Sequence, residues 1–156
     1  MLFRSVQLLT RLIADGTLIA VLLIAAPVVL LAIRRRVWST LPVLIMAGLT
    51  SLLVGKLMSL LYQPAIARPF LELGVEPGAA YIDNPGFPSD HALLATVAVL
   101  AVYALTRNRK LTIVLGSLVL LMCIGRVVAL VHTPLDVVGG VLAGFIGGIW
   151  YKKLTK

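Results

Sequence analysis

Charge is scarce in this sequence. Only 13% of its 156 residues are Asp, Glu, Lys or Arg, against roughly 25% in an ordinary soluble domain. The mean hydropathy of +1.06 removes the soluble class altogether. Cysteine is nearly absent: the single Cys123 excludes an internal disulfide framework and leaves the redox compartment unread. Internal repeats and low-complexity tracts are missing, so residues 1–156 read as one membrane-embedded unit. Acidic residues are few, six against fourteen Lys and Arg, and an excess of +8 raises the question of nucleic acid.

What the sequence has in abundance is charge-free apolar runs. They cover 17–33, 37–55, 92–106, 111–125 and 137–151, which predicts an all-α, polytopic bundle of about five transmembrane helices. The last three runs are 15 residues each, about 22 Å of helix against a hydrocarbon core about 30 Å thick. Polar residues must therefore complete them: 89–91 before the third, 126–132 after the fourth, 133–136 before the fifth. Residues 1–16 place Phe3, Val6, Leu8 or Leu9, and Leu12 or Ile13 on one side, with Arg4 and Arg11 on the other, which predicts an interfacial amphipathic helix. A cleaved signal peptide is the rival reading. It is rejected because "IAAPVVLLAIRRR" continues apolar past any small-residue site and ends like a stop-transfer signal.

Basic residues gather at Arg34, Arg35 and Arg36, at 107–110, and at Lys152, Lys153 and Lys156. With five spans these clusters fall on one side, which the positive-inside rule assigns to the cytoplasm. All six acids fall on or toward the other side. Topology and anionic-lipid contact thus explain the basic excess, and no nucleic-acid partner is expected. Residues 63–88 hold five of the eight prolines and three glycines, an outward loop of the length that often carries function. Trp38 and Trp150 read as interfacial anchors near the cytoplasmic ends of spans. Gly139, Gly140, Gly144, Gly147 and Gly148 read as a face for close helix packing, and Met46, Met58 and Met122 as packing rather than a cofactor box.

The outward polar set, Lys56, Arg68, Ser89, His91, Arg126, His132 and Asp136, is what remains to be explained. In "FPSDHALLATVAVL" Ser89 stands where an N-cap belongs, and the free amides of the first turn would hold an anion such as phosphate. In "HTPLD" Thr133 caps, Pro134 takes the first helical position, and Asp136 falls third, the spacing of a capping box. A purely structural cap is one reading of Asp136. The other is functional: His132, four residues earlier, is close enough for the carboxylate to hold one ring nitrogen and leave the other free to attack. Arg126 supplies a planar fork suited to phosphoryl oxygens. Each ionisable group at mid-bilayer depth costs roughly 2.5 to 3.5 kcal/mol, less near the interface, so several converging at one end point to function.

"FPSDH" at 87–91 and "GRVVALVHTPLD" at 125–136 resemble the second and third motifs of the type-2 phosphatidic acid phosphatase superfamily, P-S-G-H and S-R-x5-H-x3-D. "ARPF" at 67–70 resembles the end of the first, K-x6-R-P. The resemblance covers residues 56–136. It implies that His132 attacks phosphorus to form a phosphohistidine while Asp136 orients it, and that His91 protonates the leaving group and then activates water. Arg68, Ser89 and Arg126 would hold the phosphoryl oxygens, with no metal and no cofactor.

Three positions depart from the pattern. Lys56 is separated from Arg68 by eleven residues rather than six, about 120° apart on one continuous helix, so it reaches the phosphate only if the chain leaves helix first, as Pro64 permits. Its plainer reading is a snorkelling lysine or an internal ion-pair partner. Gly125 replaces serine and Asp90 replaces glycine. The P-S-D-H form resembles the undecaprenyl-diphosphatase branch of the family. The expected function is therefore a cell-membrane lipid phosphatase with its site on the extracytoplasmic face and its C-terminus cytoplasmic. A polyprenyl diphosphate is the favoured substrate, and phosphatidate, phosphatidylglycerophosphate or a lipid A phosphate are alternatives. A non-catalytic headgroup binder and a transporter are the rivals from other classes.

Overall fold

The structure is a computed structural model that describes residues 2–63, 65 and 68–155, and the side chains of residues 7–154 among these. The side chains of Phe3, Arg4 and Val6, and residues Pro64 and Ala67, lie outside the described residues. The described residues form helices and connections without a strand: α1 (Leu2–Arg11), α2 (Thr17–Arg35), α3 (Val37–Leu61), α4 (Pro69–Glu72), α5 (Asp90–Thr106), α6 (Arg109–Val128) and α7 (Pro134–Gly147). A tighter helical segment, Gly148–Thr155, prolongs α7. Among the described residues, four stretches are long and apolar enough to cross a membrane, Gln7–Arg35, Val37–Leu61, Arg109–Val128 and Pro134–Leu154. α5 is shorter, 17 residues, or about 25 Å of helix.

The N-terminal segment and the first apolar run, separate elements by sequence, are joined. One widened helical turn, Leu12–Gly16, carries α1 into α2 without leaving helical backbone. Leu8, Leu9 and Leu12 stay exposed, while Ala14 is buried. Most of the remaining surface of the long helices is also apolar, with Leu23, Leu30, Leu53, Leu60, Ile113 and Leu120 exposed. An outer face of this kind is what a lipid surround permits.

α5 is the central helix, packed against α2, α3, α6 and α7. Its side chains are small: Ala92, Ala95, Val99 and Val102 join Val21, Leu115 and Met122 in the largest core cluster. Small residues on α7 bring the backbones closer still. A methyl group added at Gly140 would lie 2.2 Å from the Ser89 carbonyl, and one at Gly147 would lie 2.4 Å from the Ala47 carbonyl. This is the close packing expected of the glycine face. Trp150, read as an anchor, also donates its indole N–H to Thr50 at 2.9 Å, whereas Trp38 stands exposed.

The chain reverses between α5 and α6 through Arg107 in the left-handed region, followed by Asn108, whose side chain caps α6 by accepting from Leu111 N–H. At this end Arg35, Arg36, Thr106 and Lys153 line one cavity of about 600 Å³. The basic clusters thus meet at the C-terminal end of α5. The residues with chemistry lie at its other end.

Candidate functional site

Two helix N-termini and one helix C-terminus meet there. α6 ends at Val128, and the chain turns through Leu130 at φ 59°. This left-handed conformation in a bulky residue costs about 1–2 kcal/mol and is held by its surroundings. The Leu130 carbonyl accepts Phe70 N–H at 3.0 Å, and the Val131 carbonyl accepts the Arg68 guanidinium at 2.7 Å. The turn so fixed presents His132. Thr133 then opens α7 with a complete capping box, its hydroxyl accepting from Asp136 N–H and the Asp136 carboxylate accepting from Thr133 N–H.

The two readings of Asp136 prove compatible. Its Oδ2 accepts Thr133 N–H at 2.7 Å and faces His132 Nδ1 at 3.3 Å. An ionised carboxylate only accepts, so the contact places the imidazole proton on Nδ1 and leaves Nε2 with its lone pair. His132 is buried, and that burial pulls its pKa below the ordinary value, more than the Asp136 hydrogen bond raises it. The cations Arg126 and Arg68 lower it further. The imidazole is therefore neutral at neutral pH.

Ser89 occupies the N-cap position of α5, as its place in the sequence predicts, but its hydroxyl makes no cap hydrogen bond. Its backbone is engaged instead: Ser89 N–H donates to the Asp136 carbonyl at 2.9 Å, stitching the start of α5 to the first turn of α7. The hydroxyl is fully buried and has no partner. His91 follows in the first turn, half-buried, within electrostatic reach of Arg126, Asp15 and Asp90 and of the His132 imidazole.

Arg68 is buried beneath this turn. It donates to the carbonyls of Val131 and Ile82 and to Asn84 Oδ1 at 2.6 Å, and its guanidinium stands 5.3 Å from the centre of the Tyr81 ring. Burial lowers its pKa from the ordinary value, opposed by the charges of Asp136, Tyr81, Asp83 and Asp90. Arg126 is 1% exposed and forms an ion pair that the sequence did not foretell, with Asp15 Oδ1 at 2.8 Å.

Lys56 stands apart from these groups. It is exposed on α3 and lines a cavity of about 390 Å³ with Ser59, Asn84, Phe87 and Asp90. The chain does leave helix before Arg68, since α3 ends at Leu61 and Tyr62 is extended. Among the described residues, Lys56 still makes no hydrogen bond or ion pair with the cluster.

Among the described residues, four buried side-chain polar atoms lack a hydrogen-bond partner, and three belong to this cluster: Ser89 Oγ, Arg126 Nε and Asp136 Oδ1. Each such atom costs about 1–3 kcal/mol, so three together in one place call for a function. An anion satisfies the two that donate. The third is an acceptor and is not served by an anion. Together with the neutral, oriented imidazole, the arrangement is suited to nucleophilic attack on a bound oxyanion centre.

In comparison with known families, the model of the PAP2 superfamily fits residues 36–156. No curated protein and no solved structure matches the chain.

Proposed function

This chain belongs to the PAP2 superfamily, and from that premise, a membrane phosphatase acting on phosphate esters, we propose that it hydrolyses the phosphate or diphosphate headgroup of a lipid. The observation that carries the reading is the group of partnerless buried donors, Ser89 Oγ and Arg126 Nε, beside the His132–Asp136 pair. These donors and the free first-turn amides of α5 bind the phosphoryl oxygens, with Arg68 adding charge beneath them. His132 Nε2 attacks phosphorus as the bond to the leaving oxygen breaks, and His91 gives that oxygen a proton. His91 then takes a proton from water as its oxygen attacks the phosphohistidine, which releases phosphate and restores His132. The positive charges are supplied by side chains, and no metal or cofactor enters.

A lipid is favoured over a soluble ester because the cluster lies at the end of apolar helices whose outer faces expose leucine and isoleucine. The basic clusters gather at the opposite end of α5, which by the positive-inside rule supports a site on the extracytoplasmic face. The P-S-D-H form at 88–91 favours a polyprenyl diphosphate, such as undecaprenyl diphosphate, over phosphatidate, phosphatidylglycerophosphate or lipid A phosphate.

The test is phosphate release by purified protein in detergent across these lipids, with His132→Ala and His91→Ala alongside. Release that is fastest from the polyprenyl diphosphate and lost in His132→Ala supports the reading. Equal, slow release by wild type and His132→Ala from every lipid overturns it in favour of headgroup binding without catalysis.

A further inference from the structure

The first 71 residues contain one acid, Asp15, set in a helix otherwise apolar enough to cross a membrane. A carboxylate in such a place is expensive unless it is paired. Asp15 is paired twice. Oδ1 receives Arg126 at 2.8 Å and Oδ2 receives Ala80 N–H at 3.0 Å, while the same Arg126 nitrogen donates to the Ala80 carbonyl at 2.7 Å. One residue of the long loop is thereby gripped on both sides, and three distant parts of the chain close on one guanidinium.

The grip engages one terminal nitrogen of Arg126 and leaves Nε buried without a partner. It is also tied to the Gly125 departure. A Cβ at position 125 would lie 2.8 Å from Ile13 Cγ2, 2.9 Å from Ala14 N and 3.0 Å from Ala14 Cα. Two of these neighbours are backbone, so a side chain at 125 displaces the turn that carries Asp15. The widened turn Leu12–Gly16 falls at this contact, where such turns commonly serve function.

We propose that Asp15 is a positioning residue: it clamps Arg126 so that Nε faces the phosphoryl group, and Gly125 replaces the motif's serine to let the helix bearing Asp15 approach. The inference rests on the phosphatase reading above. A clamped guanidinium has lost its rotamer freedom before substrate arrives. The carboxylate also offsets one positive charge that is otherwise buried alone.

The experiment measures kcat and KM for the lipid phosphate that wild type hydrolyses fastest, together with orthovanadate inhibition. Asp15→Ala is expected to lower kcat/KM about tenfold to hundredfold and to weaken vanadate in parallel, as misplacement of a reactive group does. Asp15→Glu, which can re-form the pair, recovers part of the loss. In an Arg126→Gln background Asp15→Ala costs less than about threefold, because its effect runs through the guanidinium. Gly125→Ser, although it restores the motif, lowers kcat/KM in the same direction.

Wild-type kcat/KM in Asp15→Ala overturns the inference, as does an undiminished loss in the Arg126→Gln background, which marks a role in holding the helix alone. Full activity in Gly125→Ser overturns the account of the glycine. A wild type that hydrolyses no lipid phosphate sinks the phosphatase reading first, and the inference with it.

Discussion

Replacing Gly140 by alanine sets two physical effects against each other. Within a helix the exchange should stabilise by about 1 kcal/mol through backbone propensity alone. The structure predicts the opposite sign. The new methyl would lie 2.2 Å from the Ser89 carbonyl oxygen, 3.0 Å from Ala92 Cβ and 3.1 Å from Leu93 N, where ordinary contact starts at 3.4 Å. The Ser89 carbonyl is also the acceptor of Leu93 N–H at the start of α5, and Ser89 N–H is tied to the Asp136 carbonyl. Neither helix can yield alone. α7 must retreat from α5 by about 1 Å, a displacement of reacting groups that costs about 100-fold in rate. Overpacking of this kind costs about 1–3 kcal/mol, so the net change in stability is a loss of up to about 2 kcal/mol after the propensity gain. Gly116, in α6, supplies the control, since a methyl there meets nothing within 4 Å. Gly116→Ala should keep full activity and gain stability. The assay is phosphate release together with thermal unfolding in one detergent. A Gly140→Ala protein with unchanged kcat and a raised Tm would refute the packing argument.

Three further outcomes are expected. Ser89→Ala should raise Tm, because it removes a buried hydroxyl that has no partner, and should weaken orthovanadate about tenfold, the worth of a hydrogen bond to an anion; a lowered Tm with unchanged inhibition would contradict this. Burial holds the His132 pKa below its ordinary value, near 6.5, so the acid limb that His132 imposes on kcat/KM should fall below about pH 6.5. The unfolded chain takes up that proton first, so the stability tied to His132 is complete above about pH 6.5 and declines as the pH drops toward the lowered value. Arg68→Ala strips donors from Val131, Ile82 and Asn84 and should cost both stability and activity, whereas Lys56→Ala, on an exposed face, should cost activity far less. Comparing kcat/KM for the pair decides it.

The legible part of the site lay in local spacing. His132, Thr133 and Asp136 sit within five residues, so the cap and the histidine contact follow from helix geometry, and so does the N-cap position of Ser89. What the Ser89 hydroxyl does was not legible. N-cap preference predicts that it caps α5, but the oxygen is left without a partner and the backbone N–H finds the α7 carbonyl instead. Asp15 was read only as an acid on the outer side. Its partner is 111 residues away, and no helical period relates positions so distant. The one available signal was a lone carboxylate beside a charge-free run, the same argument that singled out Arg126. Gly125 stands in the sequence only as a glycine in place of serine and is intelligible only once Ala14 is seen against it. The apolar runs gave the helices well, because hydrophobic period and length are properties of each segment. The continuity of α1 with α2 escaped because Gly16 and the charged residues before it look like a boundary, although the backbone stays helical through them.

The most direct measurement of the central claim is a rapid alkaline quench of the purified enzyme during turnover of a lipid carrying radiolabelled phosphate, followed by mapping of the protein-bound label. The account predicts acid-labile, alkali-stable label on His132, absent from His132→Ala. Label on another residue, or steady turnover by an enzyme that never carries label, would contradict it.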